Sequence, residues 1–431
     1  MGLQIEWKPK KKYLPYFAVF LLFFTPIFAQ DDYLYDEVMT KQSKDKSSIL
    51  DNDFAVREFT VGLSLPTTMA FIEDNILVLQ KNDGQVRHVL PDGTILSNPV
   101  LDVKVSNYLE RGMLGILVKE SSVYLYYTES DRDGGEPIAN NIYKYKWTGK
   151  TLEEPILIKS LPSYQDAIMH QGGILALGKD NTVYVIIGDQ DNQDLARGAN
   201  VLQNQFAPPD DTGVILPIDP EGPYYAIGIR NSFGLTVDPI TGNLWQTENG
   251  PDKFDEVNLV MPKFNSGWNS HSGPISESRI SHFIVKDPPL ANVGGVIKSH
   301  LQIFLSSIYG MFVLPDNYVY SDPEFSWEKT VSPTALNFVP TSFGKYENWL
   351  FVGDCIGGHI YKFKLNEDRD GFIFDDQSLD DLIFNEGDNI EDILFGEGFG
   401  CITDIKFNDG KMYVVSLSSG TIYEIFLDVD K

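Results

Sequence analysis

One unit recurs six times along this chain. A short apolar strand leads through a tight turn to a β-rich strand, then a loop, then a second β-rich strand. "NILVLQKNDGQVRHVL" (75–90) is the first example, and "SVYLYYTES" (122–130) with "NNIYKYKW" (140–147) the next. "NTVYVIIGDQ" (181–190) with "TGVILPID" (212–219), and "GNLWQTENGPDKFDEVNLV" (242–260), follow. "NWLFVGDCIGGHIYKFKL" (348–365) and "GKMYVVSLSSGTIYEIFL" (410–427) complete the set. The β-rich strands begin near Ile76, Val123, Val183, Leu244, Leu350 and Met412. Most spacings are roughly 50–60 residues, the length of a four-stranded blade with its loops. Alternation such as Ile142–Tyr143–Lys144–Tyr145–Lys146 fits strands and leaves no helical stripe. Antiparallel blades closed in a circle leave few open edges. The expected fold is therefore all-β: a six-bladed β-propeller over residues 54–428, with 54–62 ("FAVREFTVG") supplying the strand that closes the last blade. Two packed β-sandwiches are the alternative; comparable units with no linker between them favour the ring. The longer gap between Leu244 and Leu350 reads as extra loops within it.

A different kind of segment precedes the repeats. "KPKKK" (8–12) flanks "YLPYFAVFLLFFTPIFA" (13–29), a run too short for a typical membrane span. Residues 1–30 read as a signal peptide or an N-terminal membrane anchor. Ala29 suits the last position before a cleavage site and Ile27 suits its position poorly, so both readings stand. Either way the lysines stay inside and the body is exported. The expected location is extracytoplasmic: extracellular, or attached to the membrane through this segment. Residues 31–53 are polar, of mixed charge, and read as a tether. The formal charge of −27 repels phosphate backbones, which argues against nucleic acid as a partner and favours cations such as Ca²⁺. Export permits a disulfide between the two cysteines, Cys355 and Cys401. Two cysteines without a CxxC do not make a zinc cluster.

Propellers carry function in loops at one mouth of the central channel. Three loops here have unusual residue sets: "IMHQGG" with His170, "GIRNSFG" (228–234) with Arg230 and Asn231, and "TENGPDKFDEVNLV" (247–260). Each residue has a plain structural reading as well. His170 can end a turn, Arg230 can pair with Glu248, and Asp255 and Glu256 can brace their loop. "DRDGG" (131–135) and "DRDGF" (368–372) lack the rest of a Ca²⁺-binding loop and read as acidic turns. The acidic run from Glu367 to Glu397 reads as a solvated face, and His359 as structural.

In combination these loops resemble the glucose/sorbosone dehydrogenase family, soluble aldose dehydrogenases that use pyrroloquinoline quinone. "ERGMLG" (110–115), "HQGG", "GDQ", "GIRNSFGL", "TENGPDKFDEVNL" and "NSGW" follow in the family's order, and the resemblance spans about residues 57–428. It implies that His170 is the general base that takes the proton from the C1 hydroxyl of a sugar while hydride passes to the quinone and then to an external electron acceptor. An imidazole titrates near working pH, which suits that role. It implies that Arg230 and Asn231 bind the quinone oxygens, where a fixed cation stabilises developing charge. Gly250 and Pro251 fall on backbone carbonyl ligands of a Ca²⁺ that holds the cofactor, and hard oxygen donors suit that ion. Asn249 and Thr330 fall near the cofactor's carboxylates.

The chain also departs from the family. A lysine in the fifth repeat loop and two arginines in the sixth grip the cofactor's three carboxylates in the best-known members. Ile356, Cys401 and Thr403 occupy those regions here, and Met169 replaces an acid found beside the histidine in some members. By the same resemblance, Cys355 and Cys401 sit near the cofactor's carboxylate side and are expected within disulfide reach, a Cα–Cα distance under about 7 Å. Such a crosslink would occupy space left by the missing cations. Two functions of different class follow: a quinoprotein oxidoreductase acting on an aldose or related alcohol, or a non-catalytic extracytoplasmic propeller binding glycan, peptide or metal.

Overall fold

Each β-rich strand anticipated by the repeats becomes the second strand of its own sheet. The computed structural model describes residues 46–190, 211–268, 272–274 and 318–428. The N-terminal segment 1–30, tether residues 31–45 and most of the extra loops expected after Leu244 lie outside the described residues. The described strands form six sheets, each starting with an inner strand: Pro66–Ile72, Met113–Lys119, Leu175–Leu177, Gly234–Val237, Pro333–Phe338 and Ile402–Asn408. Each inner strand touches the next, and the sixth touches the first, so the circuit is closed. The protein is an all-β propeller.

Burial explains the sequence pattern. Neighbouring sheets face one another, so the inner and second strands are covered on both sides and read as continuous apolar runs. Asn75–Gln80 and Lys411–Ser416 are buried at every position after the first. The outermost strand of the second sheet, Leu152–Leu161, is largely exposed between its buried ends. The apolar clusters follow the same circuit. Leu77 and Leu79 of the first sheet pack with Met113 and Ile116 of the second. Phe351 of the fifth packs with Ile405 and Val414 of the sixth, and Val415 of the sixth meets Met69 and Val78 of the first.

The ring closes through the chain's N-terminal part. Phe54–Val61 pairs antiparallel with Thr421–Leu427, as the sequence suggested, and removes the open edge of the sixth sheet. Arg57 Nε donates to the buried Glu424 at 2.5 Å across this seam. The preceding residues are also used: Ser48–Ile49 pairs with Gly396–Glu397 of the fifth sheet.

Candidate active site

A cavity of about 350 Å³ opens where the inner strands begin and the second strands end. All six sheets contribute to its wall. Every residue to which the resemblance assigns a site role reaches it: His170, Arg230, Asn231, Asn249, Gly250, Pro251 and Thr330, together with Cys355, Ile356, Cys401 and Thr403; Glu248, Glu256 and His359 do not. Its volume lies near the lower end of small-molecule pockets, about 300–1,000 Å³.

The "HQGG" loop has a backbone reason for its composition. His170, Gly172 and Gly173 all have positive φ, at 53°, 64° and 97°. A Cβ on Gly172 would fall 2.7 Å from the Ile186 carbonyl oxygen, and one on Gly173 would strike the Tyr126 ring at 2.3 Å. Only glycine meets both demands. His170 is not glycine, so its left-handed backbone is strained and must be held by its surroundings. Gln190 N donates to the His170 carbonyl at 3.3 Å, and Gly188 is close enough that a Cβ would approach that oxygen to 2.2 Å.

The imidazole is buried and fixed. Its Nδ1 lies 2.6 Å from Asp189 Oδ1, and both residues are at most 6% exposed. An ionised carboxylate only accepts, so Nδ1 of the neutral ring carries the proton and Nε2 is left as the basic nitrogen. The second Asp189 oxygen accepts from Trp268 Nε1 at 2.6 Å. Asp189 and Trp268 stood in the quoted "GDQ" and "NSGW" without an assigned role. Their signal was position after a strand and order after the histidine, which does not reveal a contact.

Arg230 joins the third and fourth sheets. Its carbonyl accepts from Asp189 N at 2.8 Å, and its guanidinium lies 5.2 Å from the Trp268 ring centre. Nη1 donates to the carbonyls of Asn249 and Gly250 at 2.8 and 3.1 Å. The expected pairing with Glu248 takes another form: Glu248 Oε1 accepts from the backbone N–H of Arg230 at 2.7 Å. Asp255 braces the loop as expected, accepting from Gly250 N at 2.8 Å and from Val331 N and Ser332 N at 2.6 and 2.7 Å. Burial pushes the Asp255 carboxyl up to about 6 despite these bonds. Burial, and for Glu248 also the nearby Glu256, pushes the Glu248 and Glu256 carboxyls upward too. Two buried polar atoms of this wall, Arg230 Nε and Asn249 Oδ1, have no hydrogen-bond partner. Orphans at a cavity are the places a ligand would satisfy.

The opposite wall is different. Cys355 and Cys401 form a disulfide with Cα atoms 3.7 Å apart, within the expected limit. Thr403 Oγ1 donates to the Pro66 carbonyl at 3.1 Å, tying the sixth sheet to the first. His359 is structural: its Nδ1 lies 3.1 Å from Asp354 Oδ2, and it does not line the cavity. Sequence reasoning missed Lys81, a buried cavity residue of the first sheet. Lys81 follows a strand in a repeat with no family landmark, so no signal marked it.

A closed β ring with a carboxylate-fixed histidine and a braced arginine around one cavity defines a propeller with an enzyme-like site. The Glucose / Sorbosone dehydrogenase family pattern matches residues 63–282, just over half of the chain. The chain belongs to that family. Quinoprotein glucose dehydrogenase B of Acinetobacter calcoaceticus is 24% identical over 369 residues, covering 70% of this chain and 76% of that protein. An aldose sugar dehydrogenase of Escherichia coli K12 is 22% identical over 383 residues, covering 84% of this chain and 90% of that protein. Among solved structures, the PQQ-bound aldose sugar dehydrogenase of Streptomyces coelicolor superposes with a TM-score of 0.58 at 19% identity. That match covers 89% of this chain and 98% of the other.

Proposed function

We propose that this chain is a quinoprotein oxidoreductase on a six-bladed propeller that oxidises an aldose sugar or related alcohol at C1. The observation that carries the reading is the His170–Asp189–Trp268 array sharing one cavity with Arg230 and Asn249. Pyrroloquinoline quinone, when bound, supplies the two-electron acceptor. Arg230, Asn231, Asn249 and Thr330 would hold it, and the orphaned Arg230 Nε and Asn249 Oδ1 fit a ligand rich in polar atoms. His170 accepts the proton of the C1 hydroxyl at Nε2. Asp189 keeps the ring oriented and stabilises the imidazolium that results. Arg230 offers a fixed positive charge where negative charge develops.

Ca²⁺ at the Gly250 and Pro251 carbonyls belongs to the same proposal. Its basis is the family resemblance and the suitability of hard carbonyl oxygens for that ion; the Gly250 carbonyl accepts from Arg230 Nη1 at 3.1 Å, a contact Ca²⁺ would have to displace. Placement outside the cytoplasm is also proposed, and the disulfide supports it because such bonds persist in oxidising compartments.

The disulfide taken alone leaned toward a non-catalytic module binding glycan, peptide or metal. The neutral Ile356 and Thr403 beside the disulfide lean the same way, while the histidine wall leans against that reading. A strained histidine held against a buried carboxylate is costly in a surface that only binds. The test is dye-linked oxidation of an aldose panel by protein incubated with pyrroloquinoline quinone and Ca²⁺. Turnover that needs both the quinone and His170 is expected. Quinone-loaded protein inert toward every aldose would refute it.

A further inference from the structure

We infer that Lys81 is a carboxylate-binding cation of this cavity, standing on the first sheet in place of the cations that the fifth and sixth loops lack. The inference rests on reading the cavity as an oxidoreductase site. Lys81 directly follows the strand Asn75–Gln80, and the first sheet is the ring neighbour of the sixth, which carries Cys401 and Thr403. Its backbone is pinned: Lys81 N donates to the Leu65 carbonyl, and Met113 N donates to the Lys81 carbonyl, both at 3.0 Å. The path of its side chain is kept open by Gly112, where a Cβ would sit 2.8 Å from Lys81 Cγ.

Lys81 is 4% exposed, yet the hydrogen-bond partners of its ammonium are neutral oxygens. Nζ donates to Asn82 Oδ1 at 2.9 Å and to the Asn107 carbonyl at 3.1 Å. An ammonium has three hydrogens to give. Among the described residues no carboxylate forms an ion pair with it, although Glu110 acts on it through space. Burial pushes the amine down to about 7, so it is poised to regain full charge beside an anion. The other nearby cations are placed elsewhere: Arg230 on the third and fourth sheets, and Arg111 outside the cavity lining. Arg230 serves the Asn249 and Gly250 carbonyls, and Arg111 donates to the carbonyls of Tyr164, Gln165 and Ala167 at 2.5, 3.0 and 3.0 Å. A carboxylate entering between the first and sixth sheets therefore meets Lys81. It can belong to the quinone or to an acidic sugar.

The test compares wild type with Lys81→Met, which keeps the stem and removes the charge. Quinone affinity is read by fluorescence quenching, and glucuronate against glucose by the shift in melting temperature. If the carboxylate is the quinone's, its Kd rises roughly 10- to 100-fold in the variant, while glucuronate and glucose act alike on wild type. If it is the substrate's, glucuronate stabilises wild type more than glucose does, and that preference disappears in the variant. Either result supports the role. Lys81→Gln, which can still hydrogen-bond Asn82 and Asn107, replaces Lys81→Met should the latter not fold. A folded variant with unchanged quinone affinity and unchanged response to both sugars overturns the inference alone. A wild type that binds neither quinone nor glucuronate overturns both it and the reading on which it rests.

Discussion

The two walls of the cavity are built from the same kind of sheet and do opposite things. On the third and fourth sheets, His170, Asp189, Trp268 and Arg230 are wired to one another and to backbone carbonyls. On the fifth and sixth, a disulfide and neutral side chains replace that wiring. The comparison teaches that a propeller lets its sheets diverge separately. Each sheet's core is shared only with its two neighbours. One wall can keep chemistry while the other exchanges charge for a covalent link.

Removing the wired wall should abolish chemistry and spare the fold. His170→Ala is expected to lower sugar oxidation by roughly 10²–10⁴-fold in a protein that still folds, with a modestly lowered melting temperature, because alanine keeps the left-handed strain and the buried Asp189 loses a partner. A folded variant of undiminished rate would erase the distinction between the walls. Removing the covalent wall should do the reverse. Cys355→Ser with Cys401→Ser frees a 46-residue loop and should cost roughly 2–4 kcal/mol in chemical denaturation, with oxidation retained in the folded fraction. Loss of turnover at full stability would place the disulfide in the chemistry instead.

Calcium sharpens the comparison further. If it binds at Gly250 and Pro251, millimolar Ca²⁺ should stabilise the protein by about 2–3 kcal/mol at a hundredfold excess over its Kd. Replacing Gly250 disturbs this, since a Cβ there would lie 2.2 Å from the Lys253 carbonyl oxygen. Coincident melting curves in EGTA and in Ca²⁺ would exclude the site.

The smallest effect comes from the buried acids. Asp255, Glu248 and Glu256 all titrate above their ordinary values of 3.8 and 4.5. The folded state then holds more protons than the unfolded one. Their stabilising contribution is complete below the ordinary values and lost as pH rises through the raised ones. Glu248→Gln should flatten part of that decline in mildly alkaline buffer. The orphaned Gln246 Oε1 is available to accept from the new amide. A variant whose stability falls with pH as steeply as wild type would show that Glu248 does not carry the slope.

The ring was legible because its physics is local. Strands covered on both faces must be continuously apolar, and turns between them must break that run. The position of His170 and Arg230 was legible through loop motifs, and the disulfide through the same resemblance. What stayed hidden were contacts between separate loops. Trp268 reaches Asp189 across 79 residues, and Arg369 of "DRDGF" turns out to clamp the buried Asp238 at 2.7 Å. Lys81 was invisible because a lysine after a strand is ordinarily solvated; only the closed ring buries it.

The central claim is that the wired wall drives oxidation at C1. The direct measurement is anaerobic mixing of quinone-loaded protein with an aldose, unlabelled or deuterated at C1, while the quinone absorbance is followed. The account predicts that the quinone is reduced in a single turnover, slowed severalfold by deuterium and abolished in His170→Ala. Bound quinone whose spectrum no aldose changes would contradict it.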